Sequence, residues 1–212
     1  MPLELVTLPC LADNYAYLIH DPATGATGVV DVPDAAPVLA ELSRREWALS
    51  DIFLTHHHDD HIAGVKALRA ATGAKVWGAA ADRHRLPPLD VALVEGDAVA
   101  FGPEVGVVID VSGHTLGHIA YVFADSGLAF TGDSLMAAGC GRLFEGSPDQ
   151  MWAAVGGSLR AAPIRCGPRC KSWPPCPTRR KFARAMNTPR PTCALPLRWN
   201  RPIPRLPRAP CG

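Results

Sequence analysis

A break in composition near residue 155 limits what this chain can fold into. Residues 1–155 carry 8 Lys/Arg and all 20 Asp/Glu, whereas residues 156–212 carry 13 Lys/Arg and no acid. That second stretch also holds 12 of the 21 prolines and five of the seven cysteines. Proline removes a backbone donor and interrupts both helices and ladders. No helical or strand period survives there over a useful length. A regular fold therefore has to come from residues 1–155, which is enough chain for one domain with its own core. The formal net charge of +1 averages over this asymmetry.

Within residues 1–155 the pattern alternates. "LELVTL", "YAYLIHD" and "TGVVDV" read as strands, with a loop at Ala12–Asn14. "APVLAELSRRE" has helical spacing, with Leu39 and Leu42 on one face. "ALSDIFLT" reads as a strand, "IAGVKALRAATG" as a helix stopped by Gly73, and "AKVWGA" as a further strand. "VALVEGDAVAF", "VGVVIDVSG" and "IAYVFADSGLAFTGD" are strand-rich with Gly/Asp turns, and Ser147 is placed to cap a helix in "SPDQMWAAV". This order predicts a layered α/β domain with its chemistry on loops at strand ends. There is no basic start followed by an apolar run and no span-length apolar segment, which predicts a cytoplasmic protein without a membrane partner. Cys10 and Cys140 are too few for a disulfide framework.

The strand "DIFLT" runs straight into "HHHDDH", which holds four of the eight histidines. Imidazole and carboxylate suit zinc and similar divalent ions. His56 and His58 are two apart and point the same way in extended chain, Asp60 continues the alternation, and His61 turns back as a helix begins. His57 and Asp59 then face away. "SGHTLGHI" adds His114, and "LAFTGDSL" adds Asp133, whose carboxylate could bridge two ions. His118 is expected to pack behind the site. His20 and His84 lack such context and read as ordinary surface residues.

T-H-x-H-x-D-H, G-H-T-x-G-H and F-T-G-D-S-L together resemble the metallo-β-lactamase superfamily. "LADNYAYLI" and "GDSLMAAGCGRLFEGSPDQMW" narrow the resemblance to its glyoxalase II (hydroxyacylglutathione hydrolase) family. The resemblance covers about Leu3 to Val155. It implies an αββα sandwich and hydrolysis of S-D-lactoylglutathione to D-lactate and glutathione. It also implies two divalent metal ions, zinc, iron or manganese. By position, His56, His58 and His114 would hold one ion, Asp60 and His61 the other, and Asp133 would bridge, with Asp60 and Asp133 serving catalysis. Arg142 and Phe144 would meet the glutathione moiety. Cys140 reads as structural. Other readings are a lactonase or persulfide dioxygenase of the same superfamily, or a metal-binding remnant without catalysis. The expected partner is a small-molecule thioester, with no nucleic acid, and the chain is expected to be a monomer.

The resemblance also implies one more ligand histidine, completing the second metal site, in a "GHEYT" segment, and a helical C-terminal domain. Neither is in this sequence, which has no histidine after His118. A shift of reading frame accounts for this. If each codon starts at the last base of the preceding one, Trp173–Pro174 forces alanine and Met186–Asn187 forces glutamate. With free third bases elsewhere, Ser172–Pro196 can read KLAALPDATEVCSGHEYTASNVRFA. The expectation is a catalytic domain over 1–155, incomplete, and an out-of-frame, disordered tail over 156–212. A basic nucleic-acid arm, a proline-rich ligand and a zinc knuckle from Cys166, Cys170 and Cys176 are the rival readings of the tail.

Overall fold

The computed structural model describes residues 2–136 and 139–158. The expected tail lies outside the described residues from 159 onward. Two sheets carry the architecture. The first has six strands in the order β1 (Glu4–Cys10), β2 (Asn14–His20), β3 (Thr27–Val30), β4 (Asp51–Phe53), β5 (Lys75–Ala79) and β6 (Val91–Leu93). It is antiparallel from β1 to β3 and parallel from β3 to β6. The second is antiparallel, ordered β10 (Leu128–Phe130), β9 (Ile119–Phe123), β8 (Glu104–Asp110) and β7 (Ala98–Phe101).

Side-chain alternation explains how the layers stack. In β2, Tyr17 and Ile19 face the second sheet while Ala16 and Leu18 face the helices. In β4 and just past it, Phe53 points inward while Ile52 and Leu54 point to the helices. Ile119, Tyr121 and Phe123 of β9 meet the first sheet, and Ala120 and Val122 face outward. Phe53 is the centre of the inter-sheet core, with ring centroids of Trp77, Phe101, Tyr121 and Phe123 between 5.4 and 6.4 Å away. Such tilted aromatic contacts add to simple area burial.

Helices α1 (Ala35–Arg45) and α3 (Val65–Thr72) cover the first sheet through Val38, Leu42, Val65 and Leu68. Gly73 ends α3 with φ +73°, as its position in the sequence predicts. The expected helix from Ile62 is divided. A short α2 (Asp59–Ile62) comes first, and Gly64 then packs so close to the 34–35 backbone that a Cβ would lie 2.6 Å from Ala35 N. On the far face, α4 (Pro148–Ala153) is capped by Ser147 in a capping box with Gln150, as expected, and continues as a π-turn through Ser158. The expected αββα layering is therefore present, with α4 beginning the fourth layer.

Asp34 caps α1, its Oδ1 accepting from Ala36 N–H at 3.0 Å. Asp34→Ala is expected to cost about 1 kcal/mol. A urea unfolding midpoint identical to the parent chain's would contradict that.

Candidate metal centre

The loops at one end of the two sheets bring the predicted residues together. β4 delivers Thr55 and His56, His58 precedes α2, and His61 lies inside it. The β8–β9 loop supplies His114 and His118, and a 3₁₀ turn after β10 supplies Asp133. His56, His61, His114, His118 and Asp133 are all buried, at 0–3 % exposure. Such burial needs partners.

Those partners decide which ring nitrogens are free. Asp31, just past β3, accepts from Thr55 N–H (2.9 Å), from Thr55 Oγ1–H (2.8 Å) and from His61 Nδ1–H (2.9 Å). The Thr55 oxygen in turn lies 3.0 Å from His56 Nδ1 and accepts its proton. The Arg142 carbonyl does the same for His114 Nδ1 at 2.6 Å. Each of the three imidazoles therefore keeps a proton on Nδ1 and aims its Nε2 into one space, where the neutral ring offers a lone pair. His58 brings its Nδ1 to the same space, 3.0 Å from His114 Nε2.

Two groups of donors result. His56, His58 and His114 offer ligand atoms within 4.8 Å of one another. His61 Nε2 stands 3.7 Å from Asp60 Oδ2 and 3.4 Å from Asp133 Oδ1, while Asp133 Oδ2 stands 3.5 Å from His114 Nε2. One carboxylate thus reaches toward both groups. Among the described residues His56 Nε2 and Asp133 Oδ1 are buried with no hydrogen-bond partner, which is costly unless a cation takes the lone pairs. Asp31 also lies within 4.8 Å of His56 and His61 ligand atoms. Its oxygens already accept three hydrogen bonds, so it acts as the acceptor behind the imidazoles.

Electrostatics separate the histidines. Burial, reinforced by the neighbouring imidazoles, holds His56 well below the ordinary histidine range and pushes His118 down to about 3. His58 and His114 are lowered chiefly by burial. Burial also opposes charge on His61, but Asp31 and Asp133 outweigh it and lift it to about 10. The carboxylates thus create a strong demand for positive charge at His61 Nε2, which a divalent ion would satisfy.

His118 stacks on His56 at 4.5 Å, and its Nε2 accepts from Asp133 N–H at 3.2 Å. That occupied nitrogen agrees with a place behind the site. His57 turns away to Asp82 at 2.9 Å and Asp59 is exposed, both as expected. His84 is exposed. His20 departs from expectation. It is buried, stacked on Trp47 at 3.9 Å and hydrogen-bonded to Thr27 Oγ1 at 2.9 Å, because the chain after α1 folds back over β2. Burial pushes the Cys140 thiol up, so it is a poor nucleophile at neutral pH.

Phe144 is 59 % exposed and its ring lies 5.1 and 5.2 Å from those of His58 and His114. The Arg142 guanidinium lies 5.4 Å above the Phe144 ring, in solvent. Glu145 anchors this segment by accepting from Leu116 N–H (3.0 Å) and by pairing with Arg85, which also grips Asp82. The sequence motifs do not reveal the roles of Asp31, Thr55, Asp82, Arg85 and Glu145.

Arg85, aided by Leu116 N–H, holds the Glu145 carboxyl down at about 2. Its folded pKa is depressed, so its contribution is present above the unfolded value of about 4.5 and is lost as pH falls toward 2. Glu145→Gln should therefore destabilise the metal-free chain at pH 7, with the gap closing between pH 4.5 and 2. A constant gap in denaturation series across that range would refute the assignment.

The metallo-beta-lactamase superfamily profile matches residues 13–163. The hydroxyacylglutathione hydrolase of Cereibacter sphaeroides (strain ATCC 17025 / ATH 2.4.3) is 70 % identical over 155 residues, 73 % of this chain and 61 % of that protein. This chain thus spans about three fifths of that curated relative's length. The ETHE1 structure from Myxococcus xanthus superposes with TM-score 0.64 at 31 % identity, covering 77 % of this chain and 72 % of that one. The BLEG-1 B3 metallo-beta-lactamase superposes with TM-score 0.68 at 22 % identity, over 73 % of this chain and 84 % of that one, and it supports the fold alone. With its two sheets, its converging imidazoles and a profile match over most of its length, the chain belongs to the metallo-beta-lactamase superfamily.

Proposed function

We propose that this chain carries the catalytic domain of a hydroxyacylglutathione hydrolase, which splits S-(2-hydroxyacyl)glutathione, S-D-lactoylglutathione above all, into the 2-hydroxy acid and glutathione. The observation that carries this reading is the 70 % identity to a protein of that name. The donor set supports two divalent ions, with zinc, iron or manganese all compatible with imidazole and carboxylate. His56, His58 and His114 would hold one, Asp60 and His61 the other, with Asp133 between them. When bound, such ions supply Lewis acidity that polarises a carbonyl and makes water nucleophilic at neutral pH.

The protein's own groups do the rest. Asp31, Thr55 and the Arg142 carbonyl fix the imidazole protons behind the site. Asp60 and Asp133 supply the negative charge that gathers the cations. The exposed Phe144 ring gives the thioester's apolar stem a surface, and the Arg142 guanidinium reaches solvent beside it to meet a glutathione carboxylate. Among the described residues no helix is long and apolar enough to cross a membrane. A cytoplasmic, monomeric enzyme working without nucleic acid is part of the proposal.

Residues 1–155 would be the catalytic domain, and 156–212 the product of a shifted frame, in a sequence with no histidine after His118. Two experiments test it. The full chain, loaded with zinc, should hydrolyse S-D-lactoylglutathione in preference to lactones and persulfides, but far below the rate of the chain rebuilt in the shifted frame. Preference for a lactone or persulfide overturns the substrate reading. The gene across codons 150–190 should encode GHEYT one frame away, and a shifted frame without it overturns the domain reading.

A further inference from the structure

Asn14 opens β2 directly after the turn at residues 11–13, where Leu11 has φ +55°. It is 3 % exposed, and its polar atoms are committed. Oδ1 accepts from Tyr15 N–H at 2.7 Å, which fixes the amide's orientation and sends Nδ2 toward the metal loop. Nδ2 donates to the Asp60 carbonyl at 2.6 Å and to Asp60 Oδ2 at 3.1 Å, and it lies 3.3 Å from His61 Nε2.

The carbonyl bond has a clear cause. In a longer helix, Asp60 O would accept from Gly64 N–H. Here α2 ends after four residues, and Gly64 N–H goes to Val32 O at 2.9 Å. Asn14 supplies the missing donor. The other two contacts have no such local cause. Asp60 is half-buried, and among the described residues its carboxylate accepts a hydrogen bond from Asn14 alone, so the amide sets its rotamer. In the neutral ring His61 Nε2 carries the lone pair, because Nδ1–H is given to Asp31. One amide therefore holds a carboxylate oxygen and an imidazole lone pair 3.7 Å apart, facing the same side.

We propose that Asn14 is a positioning residue of the second cation subsite: it sets the main chain and carboxylate of Asp60 against His61 Nε2 before a cation arrives. This rests on the reading that Asp60 and His61 hold a cation. Asp60 and His61 would hold the cation, and the grip of Asn14 on the Asp60 carbonyl does not depend on it. The β1–β2 turn thereby becomes part of the centre, although it contributes no ligand. Pre-organisation of this kind lowers the ordering cost of binding.

The test is a zinc titration of the full chain against a chromophoric chelator, with urea unfolding of the metal-free protein alongside. Asn14→Ala removes all three contacts. Asn14→Ser keeps a hydroxyl that can accept from Tyr15 N–H but does not reach Asp60, so it separates the turn from the subsite. Both variants should bind the first zinc equivalent within about twofold of the parent chain and the second about 10- to 100-fold more weakly, the range for losing an outer support of a ligand. Equal weakening of both equivalents, in step with the unfolding midpoint, would make Asn14 a structural residue only and overturn the proposal. Unchanged affinity for both equivalents overturns it while leaving the two-cation reading intact. A parent chain that binds one equivalent overturns the two-cation reading, and the proposal falls with it.

Discussion

His58→Ala is expected to lower the chain's affinity for its first zinc ion by at least about 100-fold, with little change in the stability of the metal-free fold. The loss follows from geometry. His58 Nδ1 and His114 Nε2 stand 3.0 Å apart, a spacing two lone pairs avoid unless a cation or a shared proton sits between them. Removing an outer support of a metal ligand already costs 10- to 100-fold, so removing a ligand costs at least the upper figure. Stability should hold because His58 is half-buried and, among the described residues, no backbone group depends on its ring. Truncation there opens a space that water fills, and surface changes of this kind stay within about 0.5 kcal/mol. His57→Ala is the control. Its ring leans on Asp82 and Glu145, so its loss should cost stability while zinc affinity holds. Parent-like zinc affinity in His58→Ala, or an equal loss in His57→Ala, would remove His58 from the ligand set.

The contrast between those neighbours is legible in the sequence alone, because it depends only on alternation along extended chain. The same period of two sorts Tyr17 from Leu18 and Phe53 from Leu54. Local rules also find the ends of α3 and α4, where Gly73 and Ser147 act on their own neighbours. The acceptors behind the ligands are not legible, for a topological reason. Asp31 reaches Thr55 because β3 and β4 run parallel in a register that pairs Val30 with Phe53, across a crossover containing α1. Nothing in "GVVDV" alone says that its aspartate will orient two histidines. A lone acid closing a buried apolar strand is the available signal. The Arg85–Glu145 pair spans 60 positions and likewise exists only after both sheets have formed. The burial of His20 is hidden from the sequence for the same reason: the Trp47 ring that covers it comes from the far end of α1.

Asp31→Asn is expected to leave the fold standing and still cut zinc affinity about 10- to 100-fold. The substitution keeps the shape of the side chain. Its remaining oxygen can go on accepting from Thr55 N–H, so the bond that joins β3 to the loop after β4 survives. The amide nitrogen would then occupy the place of Oδ2, which now accepts from Thr55 Oγ1–H and His61 Nδ1–H. A donor there cannot receive either proton. The Thr55 hydroxyl would turn, and His61 would have to present a lone pair at Nδ1. In the neutral ring that a cation needs, the proton then sits on Nε2, facing Asp60 and Asp133, and the lone pair offered to a cation is gone. The same exchange of Asp for Asn behind a catalytic imidazole fixes the wrong tautomer in serine proteases. Asp31→Ala would act differently, stranding a buried backbone N–H and an imidazole without their acceptor, at a cost of about 3–5 kcal/mol. The informative measurement is therefore the pair: zinc affinity and urea midpoint for Asn and Ala at position 31. If Asp31 serves only packing, Asn restores both quantities. If it sets the tautomer of His61, Asn restores the midpoint and not the zinc.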